Sequence, residues 1–252
     1  RPCIKSEYKY SYSDQCTLDP DEEEYVSLFN DDIGCWDTSR VTDMGGMFYK
    51  AVAFDQDLSC WDTSSVTTTY DNDVEVGMFQ GAKVFNHSIG CWDTSKVESL
   101  SGLFLRAYAF NQPIAAWDVS KVKNMYSTFR ASCVNTNPCP DDAFSQDLCA
   151  WDTSAVTTMN SLFKNNHAFN GDISCWDTSR VQTFEDLFHQ AHSFNTDIGD
   201  WDTARVTELS STFRGTRISE YPQHAMAFDG DIGRWDTSKV VYFNNMFYNN
   251  PV

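Results

Sequence analysis

A Trp-Asp pair that recurs eight times is the feature that most constrains what this 252-residue chain can fold into. Neighbouring tryptophans lie 25 residues apart, or 31 or 34 residues apart where extra residues intervene. The eight are Trp36, Trp61, Trp92, Trp117, Trp151, Trp176, Trp201 and Trp235. A fixed period of this length is typical of repeats that stack, because one short repeat cannot bury its own apolar face.

Phenylalanine follows the same period, and 16 of the 18 Phe fall at two positions of the repeat. The first set is Phe29, Phe54, Phe85, Phe110, Phe144, Phe169, Phe194 and Phe228. The second set is Phe48, Phe79, Phe104, Phe129, Phe163, Phe188, Phe213 and Phe247. We therefore expect equivalent aromatic side chains to lie on top of one another and to form one continuous core.

Each repeat predicts two short elements. Val41, Met44 and Phe48 fall at helical spacing, with Asp37 placed as an N-cap, so this half predicts a short amphipathic helix. The four residues 33–36 predict a strand that pairs with its equivalents in neighbouring repeats. The expected fold class is an α/β solenoid of eight strand–turn–helix repeats.

The expected domain organisation is an N-terminal cap over residues 1–28 and a solenoid over residues 29–252. The acidic start of residues 19–28 predicts a short helix in the cap. Insertions interrupt the solenoid at 70–75, 133–141 and 216–224, and the last two fall at equivalent places, so they predict a partner-binding surface on one side. Its candidate residues are Asn135, Asn137, Pro138, Arg217, Tyr221 and His224.

The motif Trp-Asp-Thr-Ser-x-Val-x-x-Met-x-x-Met-Phe-x-x-Ala-x-x-Phe-Asn resembles the BspA-like surface-protein repeat, and residues 36–55 and 151–170 match it best. The match covers about residues 29–249. The resemblance implies a right-handed, leucine-rich-repeat-like stack and a role in adhesion or partner binding at a cell surface. It supplies no catalytic residues.

Charge and composition narrow the function classes. The formal net charge of −18 disfavours nucleic acid and anionic lipid and favours a basic protein partner or a multi-subunit assembly. No apolar run is long enough to span a membrane. The start at Arg1, without an initiator Met, predicts a mature secreted or cell-surface chain, with an oxidising organelle lumen as the alternative. We find no nucleophile elbow or phosphate loop, so we expect no enzyme and no cofactor.

Nine cysteines support an oxidising location. Two local disulfides are predicted, Cys3 with Cys16 in the cap and Cys133 with Cys139 in an insertion. Four others directly precede a Trp and are interpreted as small buried core residues, with disulfides between neighbouring repeats as the alternative. The sequence leaves open the pairing of Cys35, Cys60, Cys91, Cys149 and Cys175.

Stacked carboxylates and imidazoles are the candidate metal ligands. The Asp after each Trp is interpreted as a helix cap, whereas a second column four residues before Trp has a weak calcium site as its alternative interpretation. From that column we select Asp172 and Asp197, together with His167 and His192, which occupy equivalent positions. The sequon at Asn86 is left open. The expected function is an extracellular or surface-exposed scaffold for protein binding or adhesion, and the alternative is a structural subunit that docks through an open C-terminal coil.

Overall fold

The computed structural model describes residues 16–19, 24–131, 143–215, 226 and 228–250. Within these residues the repeats stack as successive coils of the chain. We number the coils 1 to 8 and begin each at the first-set phenylalanine. Their first residues are Phe29, Phe54, Phe85, Phe110, Phe144, Phe169, Phe194 and Phe228.

The regular strands of the described residues are few and short. Strand β1 (Cys16–Asp19) pairs antiparallel with β2 (Glu24–Ser27), so the helix predicted in the cap is wrong where the structure describes that stretch. Strand β3 (Tyr70–Asp71) pairs antiparallel with β4 (Val76–Gly77). The insertion predicted at 70–75 therefore forms a small hairpin that leaves coil 2.

The predicted α/β, leucine-rich-repeat-like fold is wrong, because the described residues contain no helix. The half of each repeat predicted as a helix is instead a run of turns, and left-handed residues interrupt it about every fourth position. Examples are Gly46 (φ 61°) and Lys50 (φ 53°) in coil 1, and Ser161 (φ 57°) and Asn165 (φ 60°) in coil 5. An α-helix needs a continuous φ near −63°, so it cannot pass through such residues. No described segment forms a helix that could cross a membrane.

The predicted strand at residues 33–36 is also a turn, which the Trp36 N–H closes by donating to the Ile33 carbonyl at 3.1 Å. Parallel pairing between coils occurs elsewhere, at single bridges two residues after the repeat valine. Those bridges include Asp43 with Thr68, Asn124 with Thr158, and Glu208 with Tyr242. The repeat period is therefore predicted correctly from the sequence, but the local structure within each repeat is not.

The turn segment is the half of each repeat that was predicted as a helix. Its backbone N–H groups donate alternately to carbonyls of the next coil and to carbonyls of the same coil. From coil 3 to coil 4, the N–H groups of residues 100, 102, 104 and 106 donate to carbonyls of residues 124, 126, 128 and 130 at 2.8–2.9 Å. The N–H groups between them close turns, as Leu103 does to Leu100 at 3.1 Å. Because both sets are used, the segment satisfies its buried backbone without a helix or a sheet.

Three columns of aromatic rings fill the core along the stack. Trp rings from Trp61 to Trp201 lie parallel at 6.2–6.5 Å between centroids. Each indole N–H donates to a carbonyl in the preceding coil, as Trp61 does to Ile33 at 3.1 Å. Buried Thr hydroxyls donate to carbonyls of the following coil, as Thr153 does to the Asp177 carbonyl at 3.0 Å. The columns therefore hold successive coils in register from both sides.

Candidate interaction surface

The position directly after each second-set phenylalanine carries a basic residue type in coils 4 to 7, on one edge of the stack. It carries Arg130, Lys164, His189 and Arg214, which we call the cationic edge. The phenylalanine rings just before them lie 5.7–5.8 Å apart from coil to coil, which sets the spacing of the side chains. Basic residues at four successive repeats stand out in a chain that has 36 acidic and only 18 Lys and Arg residues.

Backbone hydrogen bonds between coils hold the cationic edge in register. The carbonyls of Lys164, His189 and Arg214 accept N–H groups of the preceding coil at 3.0, 2.7 and 2.8 Å. The donors for the second and third, Asn165 and Gln190, have φ of 60° and 58°. A left-handed residue there ends each turn and keeps the preceding cation half-buried at the edge.

One partly buried carboxylate, that of Asp186, joins two of these side chains. Asp186 accepts a hydrogen bond from Lys164 Nζ at 2.5 Å and contacts His189 Nδ1 at 2.8 Å. The three side chains are only 13–20% exposed. Burial raises the pKa of Asp186, but the hydrogen bonds from His189 and Lys164 outweigh it and lower that pKa to about 2.

For His189, burial has a larger effect on the pKa than the neighbouring carboxylate has. Burial lowers its pKa, and the neighbouring Asp186 carboxylate opposes this without reversing it. The lowered pKa of Asp186 would suit a protonated imidazole beside it, whereas the lowered pKa of His189 favours the neutral imidazole. We assign the ion pair to Lys164 and Asp186, because the imidazole loses more from burial than it gains from the carboxylate.

The two arginines of the edge are the cations left for an external ligand. Arg130 Nε is buried and has no hydrogen-bond partner among the described residues. The Arg214 guanidinium lies 5.4 Å from the ring centroid of Tyr248. A buried donor without an acceptor costs about 1–3 kcal/mol, so an oxyanion that reaches Arg130 would recover that free energy.

The predicted contact residues in the two long insertions lie outside the described residues. They are Asn135, Asn137, Pro138, Arg217, Tyr221 and His224. Cys3, Cys133, Cys139 and the side chain of Cys16, the predicted local disulfides, lie outside them as well. Along the chain both insertions follow the cationic edge, since Arg130 and Arg214 each stand one residue before the last described position.

The candidate metal ligands are only partly brought together. His167 and His192 stack at 4.2 Å between ring centroids, as expected for equivalent positions. Asp172 and Asp197 each accept the N–H two residues ahead, at 3.0 and 2.9 Å. The structure instead groups Asp172 with Cys149 and Cys175, whose sulfurs bond to each other. The weak calcium site stays a prediction.

The Asp after each Trp does not cap a helix. Asp37 Oδ1 accepts the Ser39 N–H at 3.1 Å and its hydroxyl at 2.6 Å, which makes an Asx turn on the exposed surface. The Ser39 hydroxyl and N–H lower the pKa of Asp37, and the same arrangement acts at Asp62, Asp93, Asp118, Asp152, Asp177 and Asp236. The stack therefore keeps an ionised carboxylate column on another edge.

The cysteines before Trp are exposed, so their interpretation as buried core residues is wrong. Cys149 and Cys175 form a disulfide between coils 5 and 6, whereas Cys35, Cys60 and Cys91 are free and exposed. The turn at residues 33–36 is the reason. Within it the Ile33 side chain faces the core and the Cys35 side chain faces solvent.

Sequence reasoning missed two features of this surface. Charge sorted by repeat position would have revealed the cationic edge. The other feature is a side-chain ladder, in which the residue after each first-set phenylalanine accepts the equivalent N–H of the next coil. Asn86, of the sequon, accepts the Asn111 N–H at 2.9 Å in this way. The sequence feature that could have revealed the ladder is that Asn, Asp or Ser follows every first-set phenylalanine.

A family model described as "Mycoplasma protein of unknown function, DUF285" matches residues 24–72, 73–140 and 136–249. The comparison with curated proteins and the comparison with solved structures each found no match. The matched ranges cover all eight Trp-Asp pairs, so the family model matches the repeats that build the stack.

Proposed function

Because the chain belongs to the DUF285 family, whose function is unknown, we propose from its own surface that it is a repeat scaffold that binds protein partners. The resemblance to BspA-like repeats predicts the same role, in adhesion or partner binding outside the cell. The cationic edge is the observation that carries the proposal. It gives a polyacidic partner a local site on a molecule that otherwise repels it.

The construction of the edge suits an extended acidic segment. Basic side chains recur once per coil from coil 4 to coil 7, and the phenylalanine rings before them lie 5.7–5.8 Å apart. Side chains on one face of a β-strand recur about every 6.6–6.8 Å, which is close to that spacing. Arg130 and Arg214 supply guanidinium groups that carboxylates bind in bidentate geometry. The partner that we propose therefore presents alternating Asp or Glu residues.

Fluorescence anisotropy of a labelled oligoglutamate peptide tests this proposal. We expect binding that weakens as salt rises, because the contacts are between charges near the surface. The double variant Arg130→Ala with Arg214→Ala should weaken binding about tenfold or more. The matched control, Lys96→Ala with Lys121→Ala, removes two exposed cations from the edge that carries the carboxylate column, and it should bind like the parent.

Equal loss in both double variants would show that only net charge matters, which contradicts a defined edge. Binding of oligolysine in preference to oligoglutamate would favour the basic partner that the net charge predicts. That partner would lie along the carboxylate column rather than on the cationic edge.

We extend the proposal to location. A secreted or cell-surface chain, or one in an oxidising organelle lumen, is consistent with the Cys149–Cys175 disulfide, since such bonds persist in oxidising compartments. The proposed role needs no cofactor and no catalytic residue. Labelling of intact cells with a membrane-impermeant reagent, followed by recovery of this chain, tests the location.

A second candidate function is a structural subunit that docks through coil 8. The observation that favours it is the exposed apolar face of that coil, where Val241 is 67%, Tyr242 53% and Phe247 49% exposed. Sedimentation of the isolated chain separates the two proposals. A monomer that binds oligoglutamate supports the scaffold, whereas concentration-dependent association lost on Phe247→Ser supports the subunit.

A further inference from the structure

Three free thiols stand in consecutive coils at one position of the repeat. Cys35, Cys60 and Cys91 each precede the Trp of coils 1, 2 and 3, and all three are exposed. No core packing and no disulfide occupies them. A column of three neighbouring thiols on the outside of the stack is therefore available to solvent reagents.

The Cys91 sulfur points toward the preceding coil. The Cys91 thiol donates to the carbonyl of Ser59, in coil 2, at 3.3 Å, and Ser59 is the residue directly before Cys60. Cys175 and Cys149 occupy the positions of Cys91 and Ser59 in coils 6 and 5, and there the sulfurs are bonded, with a Cα–Cα distance of 5.2 Å. The fold thus already joins one coil to the next at this place.

The coil spacing decides which thiols can pair. The first-set phenylalanine rings of coils 1, 2 and 3 are separated by 5.9 Å at each step. Disulfides form over Cα–Cα distances of about 4.4–6.8 Å, which includes one coil step and excludes two. Cys35 and Cys91 therefore cannot bond to each other, and Cys60 can bond to only one of them.

We propose that this column is a modification site for low-molecular-weight disulfides, in which Cys60 and Cys91 become joined and Cys35 is left to carry an adduct. The Cys91 thiolate attacks one sulfur of the reagent, forms a mixed disulfide and releases one reagent thiol. The Cys60 thiolate then attacks the Cys91 sulfur and releases the second. Two protein thiols lose two electrons, the reagent disulfide gains them, and the two protons pass to the released thiolates.

Cys35 follows a different course because its only neighbour in the column is already used. Its thiolate attacks a second reagent molecule, releases one thiol and keeps the other half as a mixed disulfide. Among the described residues Cys60 is the only thiol within one coil step of Cys35, so that adduct persists once Cys60 is bonded to Cys91.

The test uses the intact chain, folded, with oxidised glutathione as the probe. After incubation the remaining thiols are alkylated in acid and the peptides are mapped by mass spectrometry. We expect a cross-linked peptide pair containing Cys60 and Cys91, together with glutathione on Cys35. Glutathione on all three cysteines without a cross-link would overturn the proposal, and so would a Cys35–Cys60 cross-link with glutathione on Cys91.

The variant Cys60→Ser provides the matched control. It removes the resolving thiol, so Cys35 and Cys91 should both carry persistent glutathione and no cross-link should form between them. Any cross-link between Cys35 and Cys91 in this variant would contradict the assigned spacing. The substitution lies at an exposed position, and an unchanged near-ultraviolet circular dichroism spectrum confirms that the stack remains folded.

Discussion

Inner coils and end coils have the same repeat sequence but very different burial. Trp151 is 3% exposed and Phe163 is fully buried, whereas Trp36 in coil 1 is 53% exposed and Phe247 in coil 8 is 49% exposed. The residue types match, so the difference lies in the neighbours. An inner coil packs between two others, and an end face of the described stack lacks one of them.

This difference shows that a coil does not form its core alone. Phe163 stacks on Phe129 of coil 4 at 5.7 Å and on Phe188 of coil 6 at 5.8 Å, as well as on Phe169 of coil 6 at 3.7 Å. Phe247 keeps the contact with Phe213 at 5.7 Å on one side. Stability should therefore be a sum of interfaces between coils rather than of separate repeats.

Truncating one aromatic ring at each kind of site should give the largest difference. We expect Phe163→Ala to lower the free energy of unfolding by about 4 kcal/mol, because the cavity opens against rings on three sides. Phe247→Ala should cost about 1 kcal/mol, since half of its surface is already in water. Urea unfolding followed by Trp fluorescence measures both. Equal costs would show that the coils fold independently of their neighbours.

A new disulfide between coils 2 and 3 tests whether this junction has the same geometry as the junction of coils 5 and 6, which already has a disulfide. Ser59 and Cys91 occupy the positions of Cys149 and Cys175. In a Cys35→Ser, Cys60→Ser background, Ser59→Cys should form a bond to Cys91 and raise the free energy of unfolding by about 3 kcal/mol.

Two controls check that this gain comes from the new bond. The gain should vanish in reductant, as measured by the same urea unfolding. A matched Ser64→Cys variant in the same background places the new thiol in the Asx turn of Asp62, away from the position that faces Cys91, and should gain nothing. A gain of equal size in that variant would contradict the assigned junction.

The sequence predicted the stack better than it predicted the coil. Trp and Phe recurrence alone predicts the ring columns, because identical spacing in a repeat places identical side chains together. The turn segment could not be predicted in the same way. Val41, Met44 and Phe48 fit a helical period, yet Gly46 and Lys50 adopt left-handed φ values that no spacing rule reveals. Hydrogen bonding to the next coil, rather than local propensity, selects those turns.

The candidate surface was predictable only in part. Insertions were visible as breaks in the period, but the contact residues predicted in the two long ones lie outside the described residues, so that part stays a prediction. The cationic edge itself is spread over residues 25 or 34 apart, so it is invisible as a charge run. Asp37 was predicted as a cap and does accept backbone and hydroxyl hydrogen bonds, but from an Asx turn rather than a helix.

The side-chain ladder allows the same comparison of inner and end coils, with a smaller expected effect on the free energy of unfolding. Asn170 in coil 6 accepts the Asn195 N–H at 2.8 Å, whereas the equivalent Asp229 in coil 8 has no described coil beyond it. Asn170→Ala should lower the free energy of unfolding by about 1 kcal/mol, because it removes the acceptor of the Asn195 N–H and of the more distant Thr196 hydroxyl. Asp229→Ala should change it by a few tenths at most. A cost at Asp229 as large as at Asn170 would contradict an inter-coil role.

Protonation of His189 should change the free energy of unfolding least. The charged neighbours of this imidazole are Lys164 in coil 5, Asp186 in coil 6 and Arg214 in coil 7. Burial lowers the His189 pKa in the folded chain below its ordinary value of 6.5, so the unfolded chain binds the proton more readily. The stability that neutral His189 confers is therefore complete above pH 6.5 and is lost as the pH falls toward the folded pKa. Asp186, with its pKa of about 2, stays ionised throughout that window.

Melting temperatures at about pH 8 and about pH 5.5 measure this dependence. We expect His189→Gln to reduce the loss of stability between the two pH values relative to the parent chain. If His189→Gln kept the full loss, burial of His189 by the neighbouring coils would not govern the pH dependence of stability. A smaller loss in His189→Gln would show that an inner coil controls the protonation of its side chains as well as the burial of its rings.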